Sequence, residues 1–164
     1  MRKLGVVLAL IAVIVVVGAT TSASAISSPQ VFNLLYVPSQ FGPLNGIVSD
    51  REPRGGDQFA TAGTLYKWAG TKQGARVGRS QGIATVQSLG ANGATVLFFS
   101  QTYLPGGTIL SQGYGVIDAA AKATFSVIGG TGIYAGVRGY VKLRDIGNQN
   151  VSPVKANLEI HLLP

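Results

Sequence analysis

The sequence predicts an all-β chain, an eight-stranded antiparallel β-barrel. Three observations carry that expectation. Past residue 30, apolar residues come in short runs of β-branched and aromatic types, and the helical period is nearly absent. The runs recur at near-regular spacing between clusters of Gly, Pro, Asn and Asp. The chain also holds 23 glycines, many inside the runs, which suits strands that must coil sharply at barrel corners. Strands alternating with long helices are missing, which argues against a parallel α/β sheet and leaves a sandwich as the other all-β option.

The first residues stand apart. Met1-Arg2-Lys3 is a short basic start, residues 4–17 are almost wholly apolar, and small polar residues lead to Ala23-Ser24-Ala25. That order describes a secretory signal peptide over 1–25, cleaved after Ala25, and the apolar run is shorter than the ~20 residues a spanning helix needs. Residues 26–164 then form a single barrel domain that is exported, or secreted. The chain contains no cysteine, which closes off disulfides, thiol catalysis and thiolate metal sites, and rules out a lipoprotein anchor. Without Arg2 and Lys3, 11 basic residues stand against 6 acidic ones, a net charge of +5. The basic residues are scattered with no dense run, so a solvated basic surface is expected and nucleic acid is not a partner.

Within the domain the expected strands are 31–37 (VFNLLYV), 58–68 (QFATAGTLYKW), 75–86, 94–102 (ATVLFFSQT), 108–117, 123–128, 137–146 and 154–163. A long loop rich in Pro, Gly and charge is expected from Pro38 to Asp57, and Gly82 marks a bulge or bend. Leu89-Gly90-Ala91-Asn92-Gly93 and Pro105-Gly106-Gly107 read as hairpin turns. Residues 118–122 (DAAAK) are the only helix-forming cluster.

The stretch from Gly129 to Tyr140, GGTGIYAGVRGY, looks at first like a phosphate loop. A dinucleotide fingerprint must lie between a strand and a helix. Here the following residues alternate with a period of two: Val137, Gly139, Val141 and Leu143 on one face, Arg138, Tyr140, Lys142 and Arg144 on the other. The glycines therefore turn and bend a sheet. Alternation alone leaves open which face points into the barrel.

GGTGIYAGVRGY resembles the signature of the dirigent proteins, which carry Gly-Gly-Thr-Gly followed by Ala-Arg-Gly-Tyr, and residues 77–82 (VGRSQG) resemble a second dirigent segment. Gly56-Asp57, Gly63-Thr64-Leu65-Tyr66 and the Gly136 to Leu143 stretch are similar to the plant allene oxide cyclases. The resemblance covers roughly residues 57–144. It implies an eight-stranded barrel, a homotrimer, and a lumen that binds a small apolar or phenolic molecule and steers stereoselective coupling or cyclisation. No cofactor is implied, and in dirigent-type coupling a separate oxidase makes the radicals. Arg138 falls on the arginine of the dirigent motif and is similar to a lumen residue that contacts phenolic substrate, with Tyr140 two residues on, so these two are the candidate catalytic residues. Arg79, Gln81, Tyr103 and Tyr114 are candidate substrate-binding residues. Alternatives are an isomerase of the allene oxide cyclase type and a non-catalytic small-molecule-binding barrel.

Two departures bear on the isomerase. Residues 35–40 (LYVPSQ) hold no acid where both families place one near the end of strand one, and Gly63 stands where the cyclases carry Asn. An acid would then come from Asp50, Glu52, Asp57 or Asp118. His161 is the single histidine and is read as having no nearby acid partner, so a serine-type triad or a metal site is not expected. Asn150-Val151-Ser152 fits the glycosylation pattern, with Pro153 following.

Overall fold

The computed structural model describes residues 26–44, 52–70, 72–91, 93–117, 122–145 and 155–164. Residues 1–25, read from sequence as a signal peptide, and Asp50, residues 118–121 and Asn150 lie outside them. Eight strands follow one another around a closed barrel: β1 (Gln30–Pro43), β2 (Gln58–Trp68), β3 (Gln73–Gly90), β4 (Gly93–Leu104), β5 (Gly107–Ile117), β6 (Lys122–Gly130), β7 (Arg138–Asp145) and β8 (Ala156–Leu163). Every neighbouring pair is antiparallel, and β8 returns to β1 with Val31 opposite His161 and Leu34 opposite Leu158. Closure leaves no sheet edge to protect.

The expected strands are all present, and the differences have local causes. β1 runs six residues past Val37, so the loop expected from Pro38 begins later. Pro38 has no N–H to give, and the β1–β2 ladder shifts its register between Pro38 and Gln40, where a bulge absorbs the missing bond. Gly82 sits in unbroken register against both Thr61 and Ser100, so no bulge forms there; β3 is irregular instead between Val86 and Ser88.

Alternation sorts the side chains. Leu34, Leu65, Ile109, Val127, Val141, Leu158, Ile160 and Leu162 turn inward and are buried. The open question of β7 is thereby settled: Val137 and Val141 belong to the core, while Arg138 and Arg144 are exposed on the outer wall.

One end of the barrel, where β1, β3, β5 and β7 begin, is plugged. The glycine stretch leaves β6, makes a single 3-10 turn at Gly132–Tyr134 and enters β7. No helix follows for a phosphate to sit on. Tyr134 is buried, donates its hydroxyl to the Pro105 carbonyl at 3.1 Å, and meets the Phe32 ring edge-on at 6.2 Å. A buried tyrosine with its polar tip satisfied is a stable cap on an apolar core. The turn backbone lies directly on the β4–β5 turn, with the Ile133 N–H donating to Gly106 O at 2.9 Å.

Candidate functional site

The other half of the barrel is not filled. A cavity of about 200 Å³ lies there, walled by Ala84, Val96, Phe98, Phe125, Val141, Leu143 and Leu158. Phe98 and Phe125 meet at 5.1 Å between centroids at a 37° tilt. An apolar cavity of ~150 Å³ takes a benzene ring, so this volume suits one substituted ring. At the mouth Phe41 and Phe59 stack at 5.5 Å, and Phe41, which lines the cavity, is 65% exposed.

Among the described residues, no charged side chain lines this space. Its polar groups are hydroxyls. Ser80 and Thr102 share a hydrogen bond at 3.2 Å, and Ser80 also donates to Gln101 O at 3.3 Å. Ser100 pairs with Ser111 at 2.7 Å. Each hydroxyl offers one donor and two acceptor positions, so these pairs are satisfied and keep acceptor capacity toward the cavity.

Tyr36 differs. Its hydroxyl is buried and has no hydrogen-bond partner. Burial raises its pKa above the ordinary phenolic value; the Thr61 side chain works in the opposite direction but stands outside hydrogen-bonding geometry. The group therefore stays protonated at ordinary pH, with a proton free to donate. Gly63 makes room for it: a Cβ there would come within 2.7 Å of Tyr36 Cζ and 2.6 Å of Val37 O. The glycine that replaces the cyclase asparagine thus lets a tyrosine ring lie flat against β2.

The six residues singled out from sequence lie elsewhere. Arg79, Gln81, Tyr103, Tyr114, Arg138 and Tyr140 all point outward, and none lines the cavity. The expected lumen position of Arg138 and Tyr140 is corrected by strand parity, since the inward residues of β7 are Gly139, Val141 and Leu143. Nor do the six converge. On β3 and β4, Gln81 donates to Tyr103 at 3.0 Å and to Gln101 at 3.2 Å, Tyr103 donates to Gln101 at 2.6 Å, and the Arg79 guanidinium lies 4.5 Å above the Tyr103 ring. On β7 and β8, across the barrel, Tyr140 stacks on His161 at 4.4 Å. The expectation that His161 has no nearby acid is corrected: residues two apart on a strand share a face, so His161 hydrogen-bonds Glu159, and Lys142 stands 3.8 Å from the same carboxylate. His161, then Lys142 and Arg144, hold the Glu159 carboxyl below its ordinary range. Tyr114 is 64% exposed on β5. Asp57 accepts the Arg54 N–H at 2.7 Å in a turn ahead of β2, a capping role.

Fold and site together are a closed antiparallel barrel with a ring-sized apolar lumen and, among the described residues, a buried tyrosine hydroxyl without a hydrogen-bond partner. The chain belongs to the dirigent-like protein family, whose model matches residues 56–163. No curated protein matches it. Solved structures of similar fold include a pyocyanin demethylase (17% identical, TM-score 0.65, covering 82% of this chain and all of that one). The pterocarpan synthase dirigent protein PsPTS1 is 18% identical with a TM-score of 0.65, covering 84% of this chain and 96% of that one. The Diels-Alderase AbmU from Streptomyces koyangensis is 17% identical with a TM-score of 0.63; the match covers 82% of this chain and 63% of the enzyme. Identities this low speak for the fold.

Proposed function

We propose that this barrel holds one ring of a small, flat, uncharged organic molecule in its open half and steers that molecule's stereoselective coupling or cyclisation. The buried, unpartnered Tyr36 hydroxyl in an otherwise apolar cavity carries the reading. An orphan donor is costly to keep in a core, and a ligand oxygen is the partner that would satisfy it. Tyr36 fixes one end of the ligand, Phe98 and Phe125 grip the ring, and the reacting edge is left at the mouth beside Phe41. Orientation is what such a site supplies, since holding one face toward an incoming partner is enough to select a product. In dirigent-type coupling a separate oxidase generates the radicals. The similar dirigent pterocarpan synthase and Diels-Alderase barrels support a cyclisation or coupling role.

The uncharged lining favours a passive carrier as the second reading, because no carboxylate among the described residues faces the cavity for acid–base work. Coniferyl alcohol oxidised by a one-electron oxidant in the presence of residues 26–164 separates the two. An enantiomeric excess in the dimers by chiral chromatography supports steering; racemic dimers alongside saturable binding of the alcohol leave the carrier.

Export follows from the signal-peptide reading of residues 1–25 and belongs to the same proposal. So does a homotrimer, for which the exposed outer-wall Ile83, Tyr114, Val116 and Ile128 offer apolar surface. Light scattering of residues 26–164 at micromolar concentration is expected to give three times the chain mass; a monomer there rules the trimer out.

A further inference from the structure

We propose that the plugged end of the barrel docks on anionic phospholipid bilayers through the β2–β3 hairpin. From Gln58 to Ile117 the chain carries four basic residues, Lys67, Lys72, Arg76 and Arg79, and no acid. The fold gathers all four at one place. Lys67 is next to last in β2, Arg76 and Arg79 lie in the first seven residues of β3, and Lys72 sits in the turn between. All four are exposed.

Counter-charge is scarce, and the acid that the register brings nearest is Glu159, two strands from Lys67 across β1. No ion pair among the described residues involves these four. Asp57 lies ten positions before Lys67 on an extended strand, roughly 33 Å away. Glu159 is already engaged by His161 and Lys142. A solvated surface ordinarily intersperses both signs, whereas this one repels itself until an anionic partner arrives.

The nature of that partner is set by what the cations surround. Trp68, the only tryptophan in the chain, lies between Lys67 and Lys72. With Val31, Phe32, Lys67, Val77 and Tyr134 it lines a cleft of about 410 Å³ at the plugged end, separate from the lumen cavity. A half-buried tryptophan beside Lys67, over an apolar cleft and with Arg76 and Arg79 further along the paired strand, matches the boundary between headgroups and acyl chains. Phosphate groups would meet the cations while Trp68 sinks to headgroup depth. A nucleic acid would satisfy the charge but leave the aliphatic wall of the cleft unused. Docked this way, the lumen mouth at the opposite end stays open to solvent.

Trp68 reports the event without a label. Residues 26–164, which contain all eight strands and close the barrel without any earlier residue, would be mixed with phosphatidylcholine vesicles with and without phosphatidylglycerol. The protein is expected to sediment only with the phosphatidylglycerol vesicles, its emission to shift to the blue, and both effects to reverse on adding salt. Each cation near an anionic leaflet is worth about fivefold in partitioning, so Lys67→Gln, Lys72→Gln and Arg76→Gln together lower it roughly a hundredfold. Arg54→Gln with Lys155→Gln, exposed at the far end, leaves it unchanged. Failure to sediment with the anionic vesicles overturns the proposal. So does an equal loss in the far-end variant, which means diffuse charge, or sedimentation with unshifted Trp68 emission. Salt-sensitive binding of duplex DNA by protein that ignores the vesicles would reassign the surface to nucleic acid.

Discussion

Tyr36→Phe is expected to make the protein more stable and less useful. The substitution keeps the ring that Gly63 accommodates and removes a buried hydroxyl that has no hydrogen-bond partner. Burying such a group without a partner costs about 1–3 kcal/mol, so its removal should recover roughly 1 kcal/mol. For a domain of this size that is a rise of about 3 °C in Tm by calorimetry. Function should move the other way. If the hydroxyl donates to the ligand, its loss weakens binding about tenfold and frees the ring to turn over in the cavity, so that any enantiomeric excess falls toward zero. Substituting Gln81 or Arg138 should do neither, because both stand on the outer wall. Opposite signs on stability and selectivity mark a group kept for its ligand. A Tyr36→Phe protein that melts lower would mean that the hydroxyl has a structural partner, and unchanged selectivity would remove it from the site.

The fold was far more legible than the site, for a reason visible in β7. Period-two alternation in 137–144 shows that two faces exist, and it places Val141 with Leu143 and Arg138 with Tyr140 without any structure. It does not say which face the barrel encloses. The motif resemblance put Arg138 inside, while closure of the ring put it outside, since Val141 packs with Phe125 and Ile160. Tyr36 was hidden differently. Leu34 and Leu35 are both buried, so alternation breaks down at the centre of VFNLLYV, and nothing in it marks the tyrosine as the inward member of its pair. The hydroxyl belt had a weak signal: Ser100 and Thr102 continue the face of Val96 and Phe98, an odd choice for an inward face unless the residues meet one another or a ligand. The basic hairpin was unreadable because its four charges are spread over residues 67–79 and become one patch only when β3 folds back on β2.

The glycine stretch makes the last prediction, because two of its glycines differ in the one respect that separates backbone strain from crowding. Gly132 and Gly136 both have positive φ, +63° and +76°, where a side chain is strained by about 1 kcal/mol or somewhat more. Around Gly136 nothing lies within 4 Å of an added Cβ. At Gly132 the same atom would run into the carbonyl oxygen of Gly106, and 3.1 Å away lies the Gly107 Cα. Neither is the end of a flexible side chain; both are backbone of the β4–β5 turn on which the plug rests. Gly136→Ala should therefore cost about 1 kcal/mol, a drop of roughly 3 °C in Tm. Gly132→Ala adds the cost of forcing two packed turns apart, for a total of about 3–4 kcal/mol and a drop of roughly 10 °C. The larger loss should come with looser closure of that end, read as faster amide exchange at Ile133, whose N–H is held by Gly106 O. Equal losses in the two variants would mean that φ alone selects these glycines. A large loss at Gly132 alone shows the stretch acting as the barrel's plug, which is what a strand, one tight turn and another strand can do and a phosphate loop cannot.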